Sequence, residues 1–223
     1  MAILLWRRRT RKGTALKFVP TNEPAPESVR AFLAVDLPDV VRERLAGVQR
    51  RLSGHRAALR IVAPESVHLT VRFLGQVPAS RIADVARAAS AVGSISPFVL
   101  EISSLGTFPP RGTIRRVVWA GLTRDAGYES LQRLHGLVER TLEQHGFARQ
   151  DRPFSPHLTL ARVRDDRPRA ELASLAEELD RLIAETRLQL DVPVQELVLF
   201  RSDLSRVGPR YSVLARFELR SRA

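Results

Sequence analysis

The chain has 223 residues and a mass of 25.0 kDa, with 44% apolar and 27% charged residues. That is enough for one ordinary globular domain or two small lobes with a real core. It contains no cysteine, which excludes disulfides, thiolate nucleophiles, cysteine-based zinc fingers and iron–sulfur clusters, and no apolar run approaches the ~18 residues that cross a bilayer. The 36 basic and 24 acidic residues leave a net charge of +12, and Lys12 and Lys17 are the only lysines. An arginine field of this kind favours phosphate and polyanionic partners, although a genomic arginine bias would give the same count.

Residues 1–28 differ from the rest. A short apolar stretch, Ala2 to Trp6, precedes Arg7, Arg8, Arg9, Arg11 and Lys12, and Pro20, Pro24 and Pro26 follow. A secretory signal has the opposite order of charge and apolarity, so this segment reads as a basic, disordered tail outside a folded unit spanning 29–223.

Within that unit Arg30–Asp36 reads as a buried strand stopped by Leu37-Pro38, and Val41, Leu45, Val48 and Leu52 recur at helical spacing up to Gly54. Val67–Leu74 alternates, with His68, Thr70 and Arg72 facing one way and Val67, Leu69, Val71 and Phe73 the other. A helix is expected over Ser80–Val92, then strands over Phe98–Ile102 and Arg116–Gly121 around the Phe108–Gly112 turn. Tyr128, Leu131, Leu134, Val138 and Leu142 make a helix stripe ending near Gly146. A strand over His157–Val163, a helix carrying Leu172, Leu175, Leu179 and Leu182, and closing strands over Val194–Arg201 and Arg210–Leu219 complete the chain, with Gly208-Pro209 as the turn between the last two. Strands and helices mix without a regular βαβ rhythm, which points to an α+β fold with antiparallel sheets.

Two tetrapeptides carry the chemistry: His68-Leu69-Thr70-Val71 and His157-Leu158-Thr159-Leu160. On a strand, residues i and i+2 share a face, so each motif presents an imidazole beside a hydroxyl while the leucine between them anchors in the core. Five histidines and ten threonines in 223 residues would give only about 0.2 His-x-Thr matches by chance. One copy alone would read as a hydrogen-bonded strand histidine; two copies, one in each half, read as a site. A metal is not expected, because two histidines without a nearby carboxylate or cysteine fall short of the usual three or four ligands. Imidazoles with pKa near 6.5 suit paired proton transfer, and facing hydroxyls suit non-bridging phosphate oxygens, so metal-free phosphodiester cleavage fits. His55, His135 and His145 lack a threonine partner and read as surface residues.

These motifs, together with Arg30–Pro38, Arg72-Phe73-Leu74-Gly75, Pro153–Pro156, Ala161-Arg162-Val163 and Gly208–Tyr211, resemble the two-histidine phosphoesterases, in particular the RNA 2′,3′-cyclic phosphodiesterases, or 2′–5′ RNA ligase-like proteins. The resemblance covers residues 30–219. It implies two similar lobes, each an antiparallel sheet with helices on its outer face, and a cleft between them. It also implies hydrolysis of an RNA-terminal 2′,3′-cyclic phosphate to a 2′-phosphate, with His157 as general base, His68 as general acid, and Thr70 and Thr159 on the phosphate. The two motifs are too alike for the sequence itself to assign acid and base. Arg162 is phosphate-proximal in the resemblance, yet simple alternation puts it on the wrong face unless a bulge intervenes. Arg72 lies on the right face by alternation, and Tyr211 and Phe32 are candidates for stacking on a base. The expectations are therefore no cofactor, RNA ends or nucleotides bearing the cyclic phosphate as partners, no membrane, a monomer, and a cytoplasmic location. The alternatives are reversible 2′–5′ ligation at the same site and a non-catalytic module binding RNA ends.

Overall fold

A computed structural model describes residues 27–112, 115–164, 166–205 and 208–221. Residues 1–26 of the basic tail expected over 1–28 lie outside the described residues, and Ser28, the last residue assigned to it, already belongs to the first strand. Strand β1 (Ser28–Val35) runs through Asp36-Leu37-Pro38 into helix α1 (Asp39–Arg51). There follow β2 (Leu59–Ile61), β3 (Leu69–Pro78), α2 (Ile82–Ala89), β4 (Phe98–Phe108), β5 (Val117–Leu122) and α3 (Ala126–Gln144). The chain ends through β6 (Leu158–Val163), α4 (Arg169–Glu185), β7 (Leu190–Val194), β8 (Glu196–Ser205) and β9 (Gly208–Glu218).

The helices start and stop where local chemistry allows. Pro38 sits at the N-cap of α1, where a missing N–H costs nothing. The Asp125 side chain accepts the Tyr128 N–H at the start of α3. At the end of α3, Gly146 takes a positive φ of 77°, the left-handed turn that stops a helix. Two strands had no clear signal. β2 is three residues long, too short to alternate, and β7 carries Pro193, which is tolerated because β7 is the edge strand beside β4. Gly208-Pro209 does not form the last turn; it lies inside β9, opposite Ser205 and Leu204.

All strand pairings are antiparallel, as expected for this α+β fold. Among the described residues they make one nine-stranded sheet in the order β7-β4-β5-β6-β3-β1-β8-β9, with β2 added to β6. The two expected sheets are thus two halves of a single one. The halves meet between β3 and β6, where one residue pair, Leu69 opposite Leu158, is in register.

One sheet face carries the helices. Val41 and Leu45 of α1, Val85 of α2, Leu134 and Val138 of α3 and Leu179 of α4 join Ala31, Leu33 and Val35 of β1 in one core. The alternate residues Phe32 and Ala34 point to the other face, where they cluster with Val198, Phe200 and Tyr211. No described helix is long and apolar enough to cross a membrane.

Leu69 and Leu158 are each 1% exposed, so truncating either removes buried volume where the halves join. Leu69→Ala or Leu158→Ala should cost about 2–5 kcal/mol of stability, read as a fall in the urea midpoint.

Candidate active site

His68 and His157 are the residues immediately before β3 and β6, so each imidazole stands at a strand entrance. Because Leu69 faces Leu158 in an antiparallel pair, the register sets His68 opposite Thr159 and Thr70 opposite His157, all on the helix-free face. Directly opposite residues have Cβ atoms about 4.5–5.5 Å apart, and the diagonal pair of histidines about 7–8 Å. Two imidazoles and two hydroxyls therefore form a small rectangle with the histidines at opposite corners, a spacing that one phosphoryl group can bridge.

Both rings are held in the same way. Nδ1 of His68 donates to the Ser66 carbonyl at 2.8 Å, and Nδ1 of His157 to the Ser155 carbonyl at 2.8 Å. A neutral imidazole whose Nδ1 carries the proton presents Nε2 as an acceptor, so in both rings Nε2 is the atom free for proton exchange.

Their surroundings differ. His68 stacks on Phe32 at 4.6 Å between ring centroids and takes the edge of Tyr211 at 5.1 Å. Burial is the largest influence on it and pushes its pKa below the ordinary 6.5; the Ser66 carbonyl and Asp36 pull upward, while Arg42 and Arg162 push further down. His157 meets Phe108 edge-on at 5.1 Å and lies 6.5 Å from Trp119. The Trp119 indole leaves no room for a Cβ at Gly106 or Gly121, so two glycines make the seat for this aromatic buttress. Phe108 and Trp119 gave no sequence signal as site residues, because nothing local says which strands will flank β6.

Bulges decide the arginines. On β3, Thr70 pairs with Ala34 and Arg72 with Leu33, so Val71 is an extra residue. On β6, Thr159 pairs with Trp119 and Ala161 with Val118, so Leu160 is extra. Each bulge sits three positions after its histidine and reverses the alternation beyond it. Arg72, expected on the site face, is turned to the helix side. There it is 6% exposed, with Nε 2.7 Å from the Glu139 carboxylate on α3 and further bonds to the Phe73 and Ala148 carbonyls. Arg72 is a structural cation and not a phosphate ligand. Arg162 moves the opposite way, onto the site face. It is exposed and makes no ion pair among the described residues; its charge adds to the burial that lowers the pKa of His68 and opposes the burial that raises that of Tyr211.

Tyr211 is on the site face, half-buried, in T-shaped contact with Phe32 at 5.0 Å and with His68 at 5.1 Å. Phe32 is 3% exposed and its ring face is taken by His68, so it supports the imidazole and is not open to a nucleobase. His135 is not a surface residue: it stacks on Phe154 at 4.0 Å, with Nε2 3.7 Å from Glu139, and burial lowers its pKa. Among the described residues, no three of His, Asp and Glu gather as metal ligands.

His68 and His135 both have pKa values below those of the unfolded chain, so between the two values the unfolded state binds more protons. Stability should be full above about pH 6.5 and fall as the pH is lowered through the folded values. Thermal melts from pH 7.5 to 5 should show this fall, and His135→Phe, which keeps an aromatic on Phe154, should flatten it.

The pattern of the 2′-5′ RNA ligase superfamily matches residues 37–206. The RNA 2′,3′-cyclic phosphodiesterase of Methanothermobacter thermautotrophicus is 35% identical over 194 residues, covering 86% of this chain and 99% of its own. That of Thermus thermophilus is 32% identical over 196 residues, covering 86% and 91%. Among solved structures, TT0787 of Thermus thermophilus superposes with a TM-score of 0.71 at 30% identity, covering 87% of this chain and all of its own. E. coli LigT complexed with 3′-AMP gives 0.66 at 27% identity, covering 86% and 99%. A match over most of the chain, by sequence and by fold, together with paired His-x-Thr motifs meeting on one sheet face, makes this protein a member of the 2′-5′ RNA ligase superfamily.

Proposed function

We propose that the protein hydrolyses RNA-terminal 2′,3′-cyclic phosphates to 2′-phosphates. The observation that carries this reading is the rectangle of His68, Thr70, His157 and Thr159 around the Leu69–Leu158 pair. Relatives named RNA 2′,3′-cyclic phosphodiesterase support it. His157 Nε2 takes a proton from water as the water oxygen bonds to phosphorus; the bond from phosphorus to the 3′-oxygen breaks; His68 Nε2–H gives its proton to that oxygen. Thr70, Thr159 and Arg162 hold the non-bridging oxygens as negative charge grows on them. Tyr211 keeps water from the outer edge of His68. The two proton transfers and the three donors account for the step without a metal. The reading carries with it a monomer, since one chain supplies every group, and a cytoplasmic location, where such RNA ends are met.

The lowered pKa of His68 is compatible with an acid role only if substrate raises it again. An anionic phosphodiester placed against Nε2 does so by favouring the charged imidazole.

Turnover of an oligonucleotide ending in a 2′,3′-cyclic phosphate should persist in excess chelator and yield the 2′-monophosphate. His68→Ala and His157→Ala should each lose at least ~10²-fold in kcat. A folded His157→Ala protein with full activity would falsify the mechanism. Arg162→Ala should cost about 10–100-fold in kcat/KM, the worth of a charge-assisted contact, whereas Arg72→Ala should act on stability. The descending limb of the pH profile should lie at higher pH for kcat than for kcat/KM, because only the complex contains the phosphate that recharges His68.

A further inference from the structure

We propose that Arg42 is a positioning residue for His68: its guanidinium locks the segment whose carbonyl fixes the tautomer and aim of that imidazole. The inference rests on the catalytic reading above for its consequence, but not for its geometry.

Between β2 and β3 the chain has little structure of its own. Only one short turn, Pro64–Ser66, bridges Ile61 and Leu69, held by the Ser66 N–H on the Ala63 carbonyl at 2.8 Å and the Val67 N–H on the Pro64 carbonyl at 3.2 Å. Arg42, on the first turn of α1, reaches into this segment with a side chain only 14% exposed. Its Nη1 faces the carbonyl oxygens of Pro64 at 3.2 Å, Glu65 at 3.1 Å and Val67 at 2.8 Å. Its Nε donates to the Leu37 carbonyl at 3.1 Å, and Nη2 pairs with the Asp36 carboxylate. Those carbonyls bracket Ser66, whose own carbonyl takes the Nδ1–H of His68. One planar, always-charged fork thus ties Asp36 and Leu37 of the β1–α1 connection to the approach to His68. A lysine could supply the charge but not the divergent donors.

The other half has no equivalent. Among the described residues no side chain other than His157 itself donates to the carbonyls of residues 153–156, and Phe154 is held by its stack on His135. The device serves one histidine, the half-buried His68, which is faced by Asp36, Arg42 and Arg162 and has Phe32, Phe200 and Tyr211 around it. A ring confined in this way has one productive aim, and the bond on Nδ1 decides which nitrogen meets the substrate.

The test uses the full chain with Arg42→Gln, Arg42→Lys and, as a control of matched instability, Leu45→Ala, a fully buried α1 residue that belongs to the core. Imidazole nitrogen NMR should find the Nδ1–H tautomer for His68 in the parent and mixed tautomers in Arg42→Gln. On a cyclic-phosphate-ended oligonucleotide, Arg42→Gln should lose about 10²-fold in kcat with KM little moved, Arg42→Lys should fall in between, and Leu45→Ala should keep its kcat per folded molecule. Retention of the Nδ1–H tautomer and of kcat in Arg42→Gln would overturn the proposal, as would an equal loss in Leu45→Ala. A parent without turnover but with the tautomer shift in Arg42→Gln would defeat the catalytic reading and leave the positioning intact.

Discussion

A single backbone pairing, Leu69 against Leu158, underlies the chemistry of this protein. Each leucine is fully buried in the core beneath the sheet, and each is flanked by the histidine and threonine of its own motif. Period-two geometry then leaves no freedom: if the leucines go down, the imidazoles and hydroxyls go up, and antiparallel pairing puts each imidazole across from the other motif's hydroxyl. The hydrophobic effect thus fixes the position of four polar groups that contribute nothing to it. It also explains why the two halves of the sheet need touch at only one pair to make a site.

The two motif strands share the burial sequence buried, half-buried, buried, buried, exposed over their first five residues. The shared feature is a bulge three positions beyond the histidine, which spends two successive residues on the core side, Val71 with Arg72 and Leu160 with Ala161. Beyond it the halves diverge in chemistry. The first half sends an arginine into the core against Glu139 and leaves Phe73 on the open face; the second buries Ala161 and leaves Arg162 there. One backbone irregularity, used twice, separates a structural arginine from one that can meet phosphate.

The halves also diverge in how they treat their histidines. His68 stacks on Phe32 and meets Tyr211 at right angles, and its loop is pinned by Arg42; His157 is buttressed by Phe108 and a glycine-seated Trp119, and its loop is held by the stack of Phe154 on His135. Burial favours the neutral imidazole, so the first site responds to the charge of whatever binds beside it. Matching His-Leu-Thr motifs become unequal groups through their surroundings, which is how a symmetric sequence signal can serve an asymmetric reaction.

The motifs, their strand contexts, the α+β class and the helix stripes were legible in the sequence, because periodicity and pairwise spacing are local and hydrophobic burial obeys them. The fate of the arginines was not, since alternation counted from His68 puts Arg72 with the site, and only the pairing of β3 with β1 exposes the extra residue that turns it away. The same holds for Arg162, whose entry to the site depended on a bulge that one strand cannot announce. Likewise His135, Phe108, Trp119 and Arg42 acquired their places from partners distant in the chain. Local pattern determines which side chains a strand can present; which of them face one another is decided by register and bulges, and those are settled only when the whole sheet closes over its core.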